Sequence, residues 1–320
     1  MGEVADGVID DLSKGWKNQK QGAHWVRGME VKCKRIRPIR IDQITTQQIV
    51  SVLKPIYRDT PVTGKRLRGM IERVIDTATA YGWRTGDNPA RWNGHLKILL
   101  GDIPEKKAGH FAAMPYGDVP NFMSMLVAVD TVAAKALQFT ILTAARTSET
   151  LEAQWSEFDL DKALWNIPAE RMKMKKAHTV PLSEGAMDIL SKLNALRSSD
   201  YVFPGKKPKR PLSNMSMAMV LRRMEIENAT VHGFRSAFKD WAMDKTNFRD
   251  DISEAALAHK ISDSVKAAYR RGNALEKRTQ LMQLWAEYCS GALSGDVVRL
   301  HDGFQARPPQ PSCGAICSRC

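Results

Sequence analysis

The sequence predicts a mainly α-helical chain carrying one small antiparallel sheet, and three observations support this. Apolar residues recur at helical spacing through the first hundred positions with almost no strand-like alternation. The helical period returns from Pro120 onward. Between the later helices one short stretch, Phe158-Asp-Leu-Asp-Lys-Ala-Leu-Trp-Asn-Ile-Pro168, alternates and turns like a hairpin, and His178-Thr-Val-Pro-Leu182 supplies a third strand.

In chain order, Ile41 to Leu53 reads as a helix entered through a threonine cap, with Ile49, Val50 and Leu53 on its apolar face. A second helix is expected from about Thr63 through Gly82, turning Met70, Val74, Ile75 and Ala78 inward and leaving Lys65, Arg66, Arg68 and Arg73 polar. That basic face suits either phosphate contact along a DNA groove or plain solvation. Trp16, Trp25, Trp83 and Trp92 read as core anchors. Gly101-Asp-Ile-Pro-Glu-Lys-Lys-Ala-Gly-His110 combines Gly, Pro and charge without an apolar period, which marks a linker. Helical patterning then covers Pro120 to about Gln154, Ser183 to about Leu196, and the chain from Ser213. From about Gly291 the sequence is rich in Gly, Pro, Ser and Cys and reads as a flexible tail. The resulting division is 1–103, a linker at 104–112, a second domain at 113–290 and a tail at 291–320.

Bulk properties narrow the partners. The 48 Lys and Arg against 35 Asp and Glu give a formal charge of +13, which favours a polyanion, of which a phosphate backbone is the commonest. The five cysteines, Cys33, Cys289, Cys313, Cys317 and Cys320, form no even disulfide framework, and no secretory signal opens the chain. A cytoplasmic location fits. Three close thiols in the tail lack the paired spacing of a zinc site, so no metal and no cofactor is expected. Asp6 stands where a myristoylation signal needs Ser or Thr. The apolar stretch from Met123 to Ala145 is interrupted by Asp130 and Lys135, which argues for buried helices rather than a membrane span.

The chemistry-bearing residues lie in four short segments. Arg146 follows the apolar run Phe139-Thr-Ile-Leu-Thr-Ala-Ala145, and Glu149, three residues on, could orient its guanidinium or cap a helix. An arginine directly after a buried helix needs a carboxylate or a phosphate as partner. Lys173 sits in the expected turn between strands, with Lys175 and Lys176 competing for the same role; each could donate a proton to a departing oxygen or contact a DNA backbone. His232 and Arg235 flank the stripe formed by Phe234, Phe238 and Trp241, so both could reach one phosphate. His259 ends a helix of small residues, and Tyr269 is followed at once by Arg270 and Arg271. Guanidiniums that hold non-bridging oxygens, imidazoles that exchange protons and a phenol that attacks are together an inventory for opening a phosphodiester.

These segments, with Gly82-Trp-Arg-Thr-Gly-Asp-Asn-Pro-Ala-Arg-Trp92, Pro168-Ala-Glu-Arg-Met-Lys-Met174 and Leu275-Glu-Lys-Arg278, make the chain from about residue 5 to Cys289 resemble a tyrosine recombinase, specifically a phage or genomic-island integrase of the satellite-phage type. The resemblance implies a helical core-binding domain followed by a mostly helical catalytic domain with a small three-stranded antiparallel sheet, the two forming a C-shaped clamp on double-stranded DNA. It implies Arg146, Lys173, His232, Arg235 and His259 as the phosphate-activating set, Glu149 as support and Tyr269 as nucleophile. Lys65, Arg66, Arg68, Lys175, Arg270 and Arg271 are the expected DNA contacts.

The resemblance further implies a 3′-phosphotyrosyl intermediate formed without metal or ATP, and four protomers on two duplexes. A host DNA-bending protein and an excisionase complete the implied partners. The segment Leu275 to Cys289 either docks on a neighbouring protomer or packs within its own domain. The N-terminal arm-binding domain general in this group is expected to be missing, and the last thirty residues match nothing in the group. Two other readings remain: a catalytically incompetent DNA-binding relic that occupies core sites, and a type IB topoisomerase using the same phosphotyrosine chemistry.

Overall fold

The structure, a computed structural model, describes residues 1–16, 19–101, 112–259 and 274–293, with the backbone alone at 19–20. The chain divides into two compact units, Met1–Ala108 and Gly109–Cys320. The linker expected at 104–112 lies outside the described residues except for Ala112, as does the tail from residue 294.

The first unit is helical. Its elements are α1 (Gly2–Ser13), α2 (Gln19–Val26), α3 (Thr46–Asp59), α4 (Pro61–Ala80) and the single turn α5 (Lys97–Leu100). Helix α3 is entered through a threonine cap as expected, but it starts at Thr46 rather than Ile41: Thr45 is extended, its hydroxyl accepts from the Gln48 amide, and the Gln48 side chain accepts from the Thr45 amide at 2.9 Å. Its buried face is Ile49, Val52, Leu53 and Tyr57, so Val52 takes the place expected of Val50, which lies at the edge of the core. Helix α4 starts at Pro61, a residue with no amide hydrogen to leave unpaired. It buries Leu67, Ile71, Val74, Ile75 and Ala78, while Met70 is only partly covered. Each buried aliphatic side chain stabilises the unit by about 1.5–3 kcal/mol.

Two expectations for this unit are corrected. Arg68 is not on an open basic face: it pairs with Glu72 at 2.8 Å, donates to the Ala90 carbonyl at 2.9 Å and lies over the Trp92 ring. Lys65 and Arg66 do remain exposed. Trp25 is buried, and Trp92 stacks on Tyr57. Trp83, however, is 53% exposed and stacks on the equally open Tyr81. The string around Asn88 owes its shape to that buried amide, which donates to the Glu72 carbonyl and Asp76 carboxylate and accepts from the Ala90 amide.

The second unit contains α6 (Val119–Val127), α7 (Val132–Thr143), α8 (Thr147–Leu151), β1 (Phe158–Asp159), β2 (Leu164–Ile167), β3 (His178–Pro181), α9 (Glu184–Ala195), α10 (Ser216–Arg223), α11 (Gly233–Lys245), α12 (Asp250–Ala256) and α13 (Leu275–Cys289). The strands form an antiparallel sheet in the order β1-β2-β3, with Trp165 opposite Phe158 on one side and Val180 on the other. The alternation visible in the sequence turns Trp165 and Ile167 into the core, where Trp165 meets Phe139 of α7. Helix α7 is buried almost all round, which explains its continuous apolar run.

Of the two placements open to α13, the structure shows packing within its own unit. Leu281, Met282, Trp285 and Cys289 are buried there, and the Trp285 indole donates to the Ile141 carbonyl at 2.8 Å. Tyr288 completes an aromatic stack with Trp241 and Trp285. Among the described residues no helix is long and apolar enough to cross a membrane.

Gly233, the first residue of α11, fixes how that helix enters the core. A Cβ there would stand 2.3 Å from the Ala112 carbonyl oxygen and 2.8 Å from the Ala113 Cα, both backbone atoms. The same carbonyl accepts from the amide and hydroxyl of Thr230, so it cannot retreat cheaply. Gly233→Ala is therefore expected to destabilise the second unit by roughly 1–3 kcal/mol, read as a lowered urea midpoint at unchanged slope.

Candidate active site

The chain leaves α7 through Ala144, held in the left-handed region at φ 49°, and reaches Arg146 in extended conformation immediately before α8. Glu149, in the first turn of α8 and only 4% exposed, uses both carboxylate oxygens on one residue. Oε2 accepts from the Arg146 amide at 2.9 Å, and Oε1 accepts from the Arg146 guanidinium at 2.8 Å. The two roles left open for Glu149 in the sequence are thus performed together.

Arg235 comes to the same place from the buried face of α11. Its guanidinium donates to the carbonyls of Ala144 and, at 2.7 Å, Leu257. Arg146 points its other nitrogen at the carbonyls of Leu257 and Ala258, at 3.5 and 3.3 Å. Two cations are therefore held against the end of α12, whose unsatisfied carbonyls carry partial negative charge. Burial, then the charge of Arg146, lowers the Arg235 pKa to about 10, so it remains a cation at neutral pH. Its Nε is buried with no hydrogen-bond partner among the described residues.

His259 follows α12 after Ala258, which is also left-handed at φ 48°. Its Nε2 lies 3.2 Å from Arg235, which can only donate, so Nε2 accepts and Nδ1 carries the proton. Nδ1 then donates to Glu254 at 3.0 Å, and Glu254 is held by Lys239 at 2.7 Å. Lys239 also contacts Asp250 and Ser253. Burial lowers the His259 pKa; Glu254 opposes this, and Arg235 and Arg146 add to the lowering.

His232 is exposed at the start of α11. Desolvation lowers its pKa, followed by the charges of Arg235, Arg146, His259 and Lys173. Lys173 itself is exposed in the turn between β2 and β3, close enough for its charge to reach His232. Lys175 folds back onto the Glu170 carbonyl at 2.9 Å. Arg146, Glu149, Lys173, His232, Arg235 and His259 thus share one site, whereas Tyr269, Arg270 and Arg271 lie outside the described residues. Among those residues no group of three or more His, Cys, Asp or Glu is placed to hold a metal ion.

Three members of this neighbourhood escaped the sequence reading. Glu254 and Lys239 hold the His259 ring; the signal available was a carboxylate five residues before a histidine and a lysine one helical turn after Arg235. His178 reads only as the start of a strand, yet burial, then Arg278, lowers its pKa to about 4, while a hydrogen bond with the Ala256 backbone ties β3 to α12.

Comparison with known proteins decides the family. The model of the phage integrase central domain matches residues 1–95, and that of the phage integrase family matches residues 117–276. The chain belongs to the phage integrase family of tyrosine recombinases. Among its relatives, this chain is 33% identical over 272 residues to prophage integrase IntA of Escherichia coli K12, covering 83% of this chain and 64% of that protein. It is also 33% identical to the integrase of Enterobacteria phage P4, covering 78% and 60%. The chain therefore spans somewhat under two thirds of the length of these relatives. Its fold is shared with lambda integrase, both in a dimer bound to a COC′ core site (TM-score 0.61, 17% identity, 84% of this chain and 76% of that one) and in a tetramer bound to a Holliday junction (0.62, 15%, 82% and 78%).

The depressed pKa of His178 makes stability depend on pH. Between about 4 and the ordinary value of 6.5 the unfolded chain binds a proton that the folded one does not. The associated stability is complete above 6.5 and falls as pH drops towards 4, at up to about 1.4 kcal/mol per pH unit. His178→Gln is expected to remove one proton from that slope, measured as urea stability from pH 7 to 4.

Proposed function

We propose that this chain is a site-specific DNA recombinase that integrates or excises a mobile element by cutting and rejoining double-stranded DNA through a 3′-phosphotyrosyl intermediate. The observation that carries this reading is the convergence of Arg146 and Arg235 on the one carbonyl of Leu257, with His259 in contact and His232 and Lys173 nearby, in a member of the phage integrase family. Two fixed cations in a largely buried site match the charge that grows on a phosphorane, and their positions need no rearrangement as the charge develops.

In this mechanism the Tyr269 oxygen attacks the scissile phosphorus, forming the P–O bond to tyrosine as the bond to the 5′-oxygen breaks. Lys173 gives its proton to that leaving oxygen, yielding a free 5′-hydroxyl. His232, whose lowered pKa favours the neutral ring, assists removal of the phenol proton. Arg146 and Arg235 hold the non-bridging oxygens, and His259 sits beside them on the Glu254–Lys239 support. The reverse attack by a 5′-hydroxyl restores the phosphodiester, so bond energy is conserved and ATP is not consumed. Arg146 and Arg235 supply the charge stabilisation that a metal would give.

The first unit would grip the core site as the core-binding domain, with Lys65 and Arg66 on DNA phosphates. Arg270 and Arg271 would contact DNA beside the nucleophile. The lambda integrase assemblies, a dimer on a core site and a tetramer on a Holliday junction, support a homotetramer on paired sites for this chain. The satellite-phage type belongs to the same proposal and rests on the strings Gly82 to Trp92, Pro168 to Met174 and Leu275 to Arg278.

The test uses nicked duplexes spanning candidate attachment sites that border the gene. The protein is expected to form an SDS-resistant DNA adduct that is lost in Tyr269→Phe, while Arg235→Gln slows adduct formation on the order of 10²–10³-fold with DNA binding retained. DNA binding with no adduct would replace the enzyme by the DNA-binding relic. Relaxation of plasmid without a site requirement would favour the topoisomerase.

A further inference from the structure

The connection between β2 and β3 runs from Pro168 to Ala177, long enough for a lysine at its tip to wander by several ångströms if nothing held its base. General-acid catalysis cannot tolerate that freedom, because the proton must be delivered to one oxygen at hydrogen-bond distance. Two residues anchor the turn immediately before Lys173. Met172 is 3% exposed and belongs to the main apolar core. Arg171 reaches in the other direction, into a polar network that the mechanism above does not use.

The Arg171 guanidinium has two faces. One nitrogen is clamped on the carboxylate of Glu157, a side chain that is itself 7% exposed and accepts the Trp165 indole N–H at 2.9 Å. The second nitrogen donates to the Glu149 carbonyl at 2.6 Å and lies 3.4 Å from that of Ser148. Glu149 therefore holds two things at once: its carboxylate orients Arg146, and its carbonyl receives Arg171. A buried ion pair alone would be weak evidence for any role beyond packing, since hydrophobic replacements are often as stable. What distinguishes this one is its second arm, which spans from the lysine-bearing turn to the helix that positions a phosphate-binding arginine.

We infer that Arg171 is a positioning residue that fixes the Lys173 turn to α8, so that the proton donor and Arg146 address the same phosphate in a set geometry. This rests on the reading of Lys173 as general acid. Arg171 touches neither substrate nor reacting atoms; its effect passes through the placement of Lys173. The lysine next to it on the far side, Lys175, adopts φ 54° and bonds to the Glu170 carbonyl, which closes the turn locally but makes no link to α8.

The experiment compares cleavage of two suicide duplexes, one ordinary and one with sulfur replacing the bridging 5′-oxygen at the scissile phosphate. In the second, the Tyr269 oxygen forms its bond to phosphorus as the P–S bond breaks, and the thiolate leaves without needing a proton. Lys173→Ala is expected to lose about 10²–10⁴-fold on oxygen and to recover on sulfur. Arg171→Met should lose about 10–10²-fold on oxygen and recover to within a few-fold of the parent on sulfur, with DNA binding unchanged. Because Arg171→Met leaves Glu157 buried without its cation, the double variant Arg171→Met/Glu157→Gln is run beside it, and the same recovery is expected there. Equal loss on both substrates, or no loss, while Lys173→Ala recovers on sulfur, would overturn the role of Arg171 alone. Failure of Lys173→Ala to recover on sulfur would remove the acid reading first, and the positioning role with it.

Discussion

Two guanidiniums of like charge, held together in a mostly buried place, set the terms for the whole second unit. Arg146 and Arg235 would repel each other in a low-dielectric interior, and each would carry a heavy desolvation cost if left unpaired. The fold answers with one carboxylate, Glu149, and with three backbone carbonyls, those of Ala144, Leu257 and Ala258. Carbonyls bonded to Arg235 steady the cation and leave its charge in place, while Glu149 and Glu254 act on it only through their charge.

Those carbonyls are available because the backbone is bent to present them. Ala144 and Ala258 both occupy the left-handed region that alanine avoids, at a cost of about 1–2 kcal/mol per residue. Each lies where a helix has just ended, and each offers its own carbonyl to an arginine. The strain and the site coincide, and the surrounding core, with α7 and α13 buried around Trp285, is what holds the backbone there.

Helix and strand periods made most of the fold legible in the sequence, because those periods are local. The cap at Thr45, the hairpin around Trp165 and the helix opened by Ser183 follow from spacing and side-chain chemistry within a few residues. Phase errors arose where two apolar faces were nearly equivalent, as between Val50 and Val52. What stayed hidden was tertiary. No local pattern says that Ala90 and Trp92 return to cover Arg68, that Trp83 stays open, or that α13 folds back on its own unit. In the site, the residue types at Arg146, His232, Arg235 and His259 were readable, whereas the Glu254–Lys239 support and the burial of His178 arise between elements that meet only after folding. The region of Tyr269 lies outside the described residues, so its part in the mechanism rests on the family.

The contacts that make the site join chain segments far apart in order: Arg146 reaches a carbonyl 112 residues on, Arg235 one 91 residues back, and Trp285 one 144 residues back. A ribosome delivers those segments at different times, with α13 the last of the described helices to emerge. Until it does, the Ile141 carbonyl near the end of α7 lacks its indole, and the arginines lack the Leu257 and Ala258 carbonyls until the still earlier end of α12 has emerged. The site is thus a property of the folded second unit and of no shorter stretch of it, because its cations and the carbonyls that hold them lie far apart along the chain.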